Sequence, residues 1–103
     1  MNPKNDWPDF PRFMIAVPPN VGTIRSPEDG QEGLAVFWTR PAALRVARSK
    51  PETEVIEATP EMFVEAIKKA NEMGIPWLYI GRELGRNVDF QKVPMTVAVG
   101  GYV

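Results

Sequence analysis

The chain has 103 residues, 44% of them apolar and 24% charged, with a net charge of −1. A chain of this length buries roughly two-thirds of its unfolded surface, enough for one modest core, and its near-neutral charge argues against nucleic acid or an anionic membrane as a partner. Cysteine and histidine are both absent, which removes the thiol nucleophile, the imidazole base and the usual zinc ligands, so no catalytic residue, metal site or cofactor is expected.

Residues 1–11 include Pro3, Pro8 and Pro11 and read as an irregular N-terminal arm, leaving 12–103 as a single α/β domain. The arm carries neither the apolar region of a signal peptide nor a bilayer span, and a cytoplasmic location is expected. Trp7 and Phe10 within it either tuck into the domain or wait for a partner, and tucking is favoured because large aromatics bury. Arg12 to Val17 is an apolar run stopped by Pro18-Pro19, a first strand. From Pro19 to Glu32 the density of Asn, Gly, Ser-Pro and Asp-Gly describes a loop. Asp29-Gly30 suits a tight hairpin turn, and Val21 to Ile24 is a candidate short edge strand.

Gly33 to Thr39 is the landmark of the chain. The unbroken apolar stretch from Leu34 to Trp38 has no polar alternation, which implies a central strand covered on both faces, with Trp38 in the core. Thr39 then caps a helix that carries Pro41 in its first turn. Ala43, Leu44, Val46 and Ala47 share one arc of that helix, Arg45 and Arg48 lie opposite, and Pro51 ends it. Thr53 to Ala58 returns to β character through Val55-Ile56. Thr59-Pro60-Glu61 starts a second helix on which Met62, Phe63, Ala66, Ile67, Ala70 and Met73 fill one arc. Burial of Phe63, Ile67 and Met62 contributes about 1.5–3 kcal/mol each, more than capping offers. Gly74 is placed for a left-handed cap and Pro76 prevents continuation.

Trp77 to Ile80 is a strand, and a right-handed crossover predicts that it runs parallel to the Val55 strand. Gly81 to Gly85 then reads as a turn, and the alternating Met95 to Val99 as a final strand and sheet edge. The expected architecture is therefore α/β: a small mixed sheet of about five strands with two helices, in the order β-β-α-β-α-β-β.

Several of these residues resemble the N-terminal domain of the SseB-like family of small bacterial proteins. They are Ala35 to Thr39 leading into an Ala-rich helix, Glu54 to Glu57, the helix with Phe63 and Ala66, and Gly74-Ile75 before Leu78 to Ile80, about half the chain. The resemblance implies an α/β domain without a known catalytic site, acting as an adaptor or accessory module.

Three surface features are candidates for function. Gly81-Arg82-Glu83-Leu84-Gly85-Arg86 follows a strand, where open α/β sheets bind ligands, and Arg82 and Arg86 could clamp a phosphate or carboxylate with Gly81 allowing close approach. The plainer reading is a turn whose arginines pair with Glu83 and Asp89. The basic segment Arg40, Arg45, Arg48 and Lys50 could meet an anionic partner, but Glu52, Glu54, Glu57 and Glu61 follow at once and favour a solvated face. The aromatics Trp7, Phe10, Trp77 and Tyr79 form the third, as an interaction surface, with alternation sending Trp77 and Tyr79 to one face. The function that follows is a non-enzymatic interaction or accessory module, associating with itself as a homo-oligomer or with another protein through exposed aromatics or an edge strand. The alternative is a small anionic-ligand binder, or weak enzyme, using Arg82 and Arg86.

Overall fold

A computed structural model of the chain describes residues 10–17 and 20–103. The arm up to residue 9, with Trp7, and the Pro18-Pro19 stop lie outside the described residues. The elements in chain order are β1 (Phe13–Val17), β2 (Asn20–Val21), β3 (Thr23–Arg25), β4 (Glu32–Phe37), α1 (Arg40–Ala47), β5 (Glu54–Glu57), α2 (Pro60–Glu72), β6 (Trp77–Leu84), β7 (Asn87–Pro94) and α3 (Met95–Tyr102). All strands join one mixed sheet, so the α/β class expected from the residue pattern is the class observed.

Strand β4 is its centre. On one edge it runs parallel to β6, with Gly33 opposite Trp77 and Phe37 opposite Gly81. Its other edge is shared: β3 pairs antiparallel with Glu32 to Leu34, and β1 with Val36 and Phe37. β1 in turn carries β5 on its far edge, and β7 closes the opposite side through an antiparallel ladder with β6.

The β2–β3 segment is thus not a sheet edge, as its sequence suggests, but a wedge between β1 and β4. Gly22 is its tip. Its N–H donates to the Ile15 carbonyl at 2.7 Å, and its own carbonyl accepts from Ala35 N–H at 3.4 Å. A Cβ at Gly22 would lie 2.7 Å from Ile15 Cγ1 and 2.8 Å from Ile15 O, so only glycine fits where the two strands part.

Side chains alternate between two covered faces. On one, α2 and α3 cover Met14, Leu34, Val36, Leu78 and Ile80; Phe63 and Ile67, both fully buried, come down from α2, and Met95 and Ala98 from α3. On the other, α1 lies over Ile15, Ala35 and Phe37, burying Ala42, Ala43 and Ala47 there with Val46 half-buried beside them. Helices α1 and α2 start as the sequence predicts. Thr39 Oγ1 accepts from Ala42 N–H at 3.3 Å and Thr59 Oγ1 from Met62 N–H at 3.2 Å, each with a proline in the first turn. Gly74 takes the left-handed conformation at φ 77°.

Three expectations need correction. Met95 to Val99 is the start of helix α3, not a strand: Met95, Ala98, Val99 and Tyr102 recur at helical spacing and pack on the core, and this periodicity overrides the short alternation inside it. Gly81 to Gly85 is not a turn, because β6 continues to Leu84 and forms a ladder with an unanticipated strand, β7. β6 does run parallel to β5, as expected, although the two are not neighbours: β5 pairs with β1, so the crossover through α2 passes over β1 and β4. Finally, Met62 and Trp38 are each 40% exposed, which leaves the burial contribution of α2 to Phe63 and Ile67.

The tightness of the wedge is testable against an open glycine. Gly22→Ala should lower unfolding stability by about 1–3 kcal/mol through overpacking against Ile15. Gly100→Ala, in α3 with nothing within 4 Å of the point where a Cβ would stand, should instead gain up to about 1 kcal/mol from helix propensity. Denaturant unfolding of the two variants distinguishes them, and equal stabilities would refute the wedge.

Candidate functional site

The β6–β7 hairpin reaches beyond the rest of the sheet. β4 ends opposite Gly81, whereas the hairpin continues through Arg82–Asp89 to Leu84–Asn87. Gly85 at φ 60° followed by Arg86 makes its two-residue turn, the arrangement of a type II′ hairpin, which needs glycine at the first central position. Two bonds tie this arm to the start of α1. Thr39 hydroxyl donates to Glu83 Oε1 at 3.2 Å, and the Arg45 guanidinium donates to the Arg86 carbonyl at 2.7 Å.

This geometry does not build the arginine clamp. Arg82 lies within the ladder and ion-pairs across it with Asp89 at 3.5 Å, while Arg86 occupies the turn. Gly81 serves packing: a Cβ there would come within 3.0 Å of the Phe37 and Phe90 rings. Gly33 does the same for the Tyr79 ring, which occupies the space a Cβ would need. The two glycines let large rings lie flat on the α1 face of the sheet.

The expected aromatic surface changes membership. Phe10 is 5% exposed and packs on Phe63 with ring centroids 5.5 Å apart; Tyr79 is 3% exposed. Neither offers a surface, because each completes the packing of a neighbouring ring. Trp77 is half-buried and does share a face with Tyr79. Both hold the β3–β4 loop, Trp77 Nε1 donating to Gln31 Oε1 and Tyr79 hydroxyl to the Gln31 carbonyl at 2.9 Å. The exposed apolar side chains beside the arm are instead Trp38 and Leu84, the latter 59% exposed. Trp38 sits one residue past β4, where the helices of its face no longer reach; its place at the strand's end is the only sign of this in the sequence.

The outer edge of β7 is unpaired among the described residues. The Gly81 carbonyl accepts from Trp38 N–H at 2.9 Å on the β4 side. By alternation, Leu78, Ile80, Arg82 and Leu84 direct their backbone groups at β7, and Val88, Phe90 and Lys92 direct theirs outward. Pro94 takes the next outward position, where its missing N–H disturbs no ladder bond. A hollow flanks this edge on each face. One, about 220 Å³, is lined by Trp38, Ile80, Arg82, Asp89 and Gln91. The other, about 270 Å³, is bounded by Ile24, Arg25, Tyr79, Phe90 and Lys92 with the Ser26–Glu28 turn.

Lys92 fastens that turn. Its ammonium meets Asp29 Oδ2 at 2.5 Å and stands 4.2 Å from the Trp77 ring centroid. The Lys92 hydrogen bond, followed by that from Gln31 N–H, holds the Asp29 carboxyl below the usual aspartate range, and the same bond raises Lys92. Among the described residues no three acidic side chains come together to hold a metal ion, and no helix is long and apolar enough to cross a membrane. No protein-family model and no curated protein sequence matches the chain.

The Asp29–Lys92 pair has a defined pH signature. A lowered folded pKa means that its contribution is complete above the unfolded aspartate value of about 3.9 and is withdrawn as pH falls through the lower folded value. The raised Lys92 contributes fully below about pH 10.4 and loses its share as pH rises through its folded value. Lys92→Gln should move the Asp29 titration, followed by carboxyl NMR, upward but not wholly to the ordinary range, because the Gln31 amide bond remains. An unmoved titration would show that the lysine is not the cause.

Proposed function

We propose that the chain is a non-enzymatic protein-interaction module whose β7 edge accepts an extended segment, from a second copy of itself or from another protein. The observation that carries this reading is the eight-residue open edge of β7 with a hollow on either face. Strand addition uses those two properties together: backbone bonds supply affinity, and pockets for alternate side chains supply selectivity. An incoming strand would meet the outward backbone of Val88, Phe90 and Lys92. Its alternate side chains would enter the Trp38–Gln91 hollow and the Phe90–Lys92 hollow.

The opposite end of the sheet is a poorer acceptor. β5 has four residues, begins and ends with exposed glutamates, and Glu57 is already paired with Arg40 at 3.5 Å. Charged, short strands are the common device against edge pairing. The resemblance to the SseB-like family, whose members the resemblance casts as adaptor or accessory modules, supports the same reading.

Val88→Pro tests the proposal, since it removes an outward N–H and no β6–β7 bond. Sedimentation velocity at rising concentration and selection from a displayed library of random peptides should reveal dimer or bound peptide, with slowed hydrogen exchange at Val88, Phe90 and Lys92. The variant should retain its circular dichroism and lose the association. A chain that stays monomeric and enriches no peptide, or one whose binding ignores Val88→Pro, would sink it.

A further inference from the structure

Helix α1 is eight residues long and covers only the part of its sheet face over Ile15, Ala35 and Phe37. Beside it remains a hollow of about 520 Å³, within the usual size of small-molecule sites. We infer that this hollow, walled by Ile24, Val46 and Phe90 and rimmed by Arg25 and Lys50, binds a small organic anion with a flat apolar body.

The walls are half-buried and apolar, and Phe90 offers an aromatic ring. The rim sets the charge. One guanidinium nitrogen of Arg25 donates to the Gly30 carbonyl at 3.0 Å, which holds the group in place while its remaining N–H donors stay available. The Lys50 ammonium makes no ion pair or hydrogen bond among the described residues. Against these two cations stands one lining carboxylate, Glu32, whose Oε1 already accepts from the Thr23 hydroxyl at 3.2 Å. The local balance is therefore one positive charge in excess, at the mouth of a hollow whose apolar wall is Ile24, Val46 and Phe90 and whose remaining lining is polar.

The basic segment around α1 accordingly divides by role. Arg40 pairs with Glu57 and Arg45 holds the Arg86 carbonyl, so both serve the fold. Lys50, past the helix end, reaches the hollow. Arg82 and Arg86 take no part. A carboxylate on a flat ring matches the site best: the ring fits between Val46 and Phe90, and a planar carboxylate accepts from the Arg25 fork and the Lys50 ammonium together.

The test is an amide-NMR titration of the full chain with 1-naphthoate, using 1-naphthylmethanol and inorganic phosphate as the uncharged and the ring-free probes. Naphthoate should shift Ile24, Val46 and Phe90 saturably. Arg25→Gln with Lys50→Gln should weaken it about tenfold or more, with both control probes similarly weak on the native chain. Lys50→Gln alone, at an exposed and unbonded side chain, should weaken it severalfold and keeps the test valid if Arg25→Gln loosens the loop. Absence of saturable shifts, an unchanged affinity in both variants, or a control probe that binds as tightly as naphthoate would overturn the inference. Arg25 also bounds the Phe90–Lys92 hollow, whereas Lys50 lines neither hollow of the β7 edge, so the Lys50→Gln outcome is the one independent of strand addition.

Discussion

Strand β4 is hydrogen-bonded along both edges and covered on both faces, and Leu34 to Phe37 are at most 1% exposed. A strand so enclosed has no route for a polar side chain to reach water, which is why its sequence is apolar without alternation. Its neighbours are shaped around it. Gly22 has no side chain because β1 and β4 must part there, and Gly33 and Gly81 have none because the Tyr79, Phe37 and Phe90 rings lie over them. The result is two layers of unequal depth. The α2/α3 face is filled by long side chains, whereas the α1 face is thin, built of alanines above and rings below.

That inequality explains where surfaces suited to binding occur. A deep core needs a full cover of helices, and α2 and α3 provide it except at the projecting hairpin, where Trp38 emerges. A thin core is covered by a single short helix, and the remaining area is shared between the pinned Ser26–Gln31 loop and open hollows. The loop is held from below by Trp77, Tyr79 and Lys92. Its position thus depends on strand side chains as well as on its own turn bonds, Gly30 N–H to the Ser26 carbonyl at 2.8 Å among them.

The elements that can be read from the sequence are those whose signals are local. Thr39-Arg40-Pro41 and Thr59-Pro60-Glu61 are cap and first turn in consecutive residues, and both helices begin where these stand. The central strand is legible because full enclosure leaves a compositional mark. Strand order and the β6–β7 ladder are not, since pairing partners are chosen by contacts far apart in the chain. β7 carries Asp89, Gln91 and Lys92 on an edge that tolerates polar residues, so it lacks the apolar mark of an inner strand. Met95 to Val99 shows the converse failure: five residues satisfy a period of two as well as one of 3.6, and only Tyr102, further on, decides between them. For the site, Arg82 and Arg86 are conspicuous in sequence, but the register gives one of them Asp89 and sends the other into the turn. Lys50 is inconspicuous as a ligand group because nothing local links it to Arg25 or Phe90.

The parallel pairing of β4 with β6 also bears on how the chain emerges from a ribosome. β1 and β3 are already made when β4 follows them, so one of its edges can pair at once. The second edge waits for Trp77 to Gly81, with the whole of α2 synthesised in between. Until then the central, largely apolar strand has one row of backbone donors and acceptors unpaired. A product terminated before Trp77 keeps that row permanently, and an open apolar edge is the template on which chains aggregate. The same strand that organises the finished sheet is therefore the liability of every incomplete one.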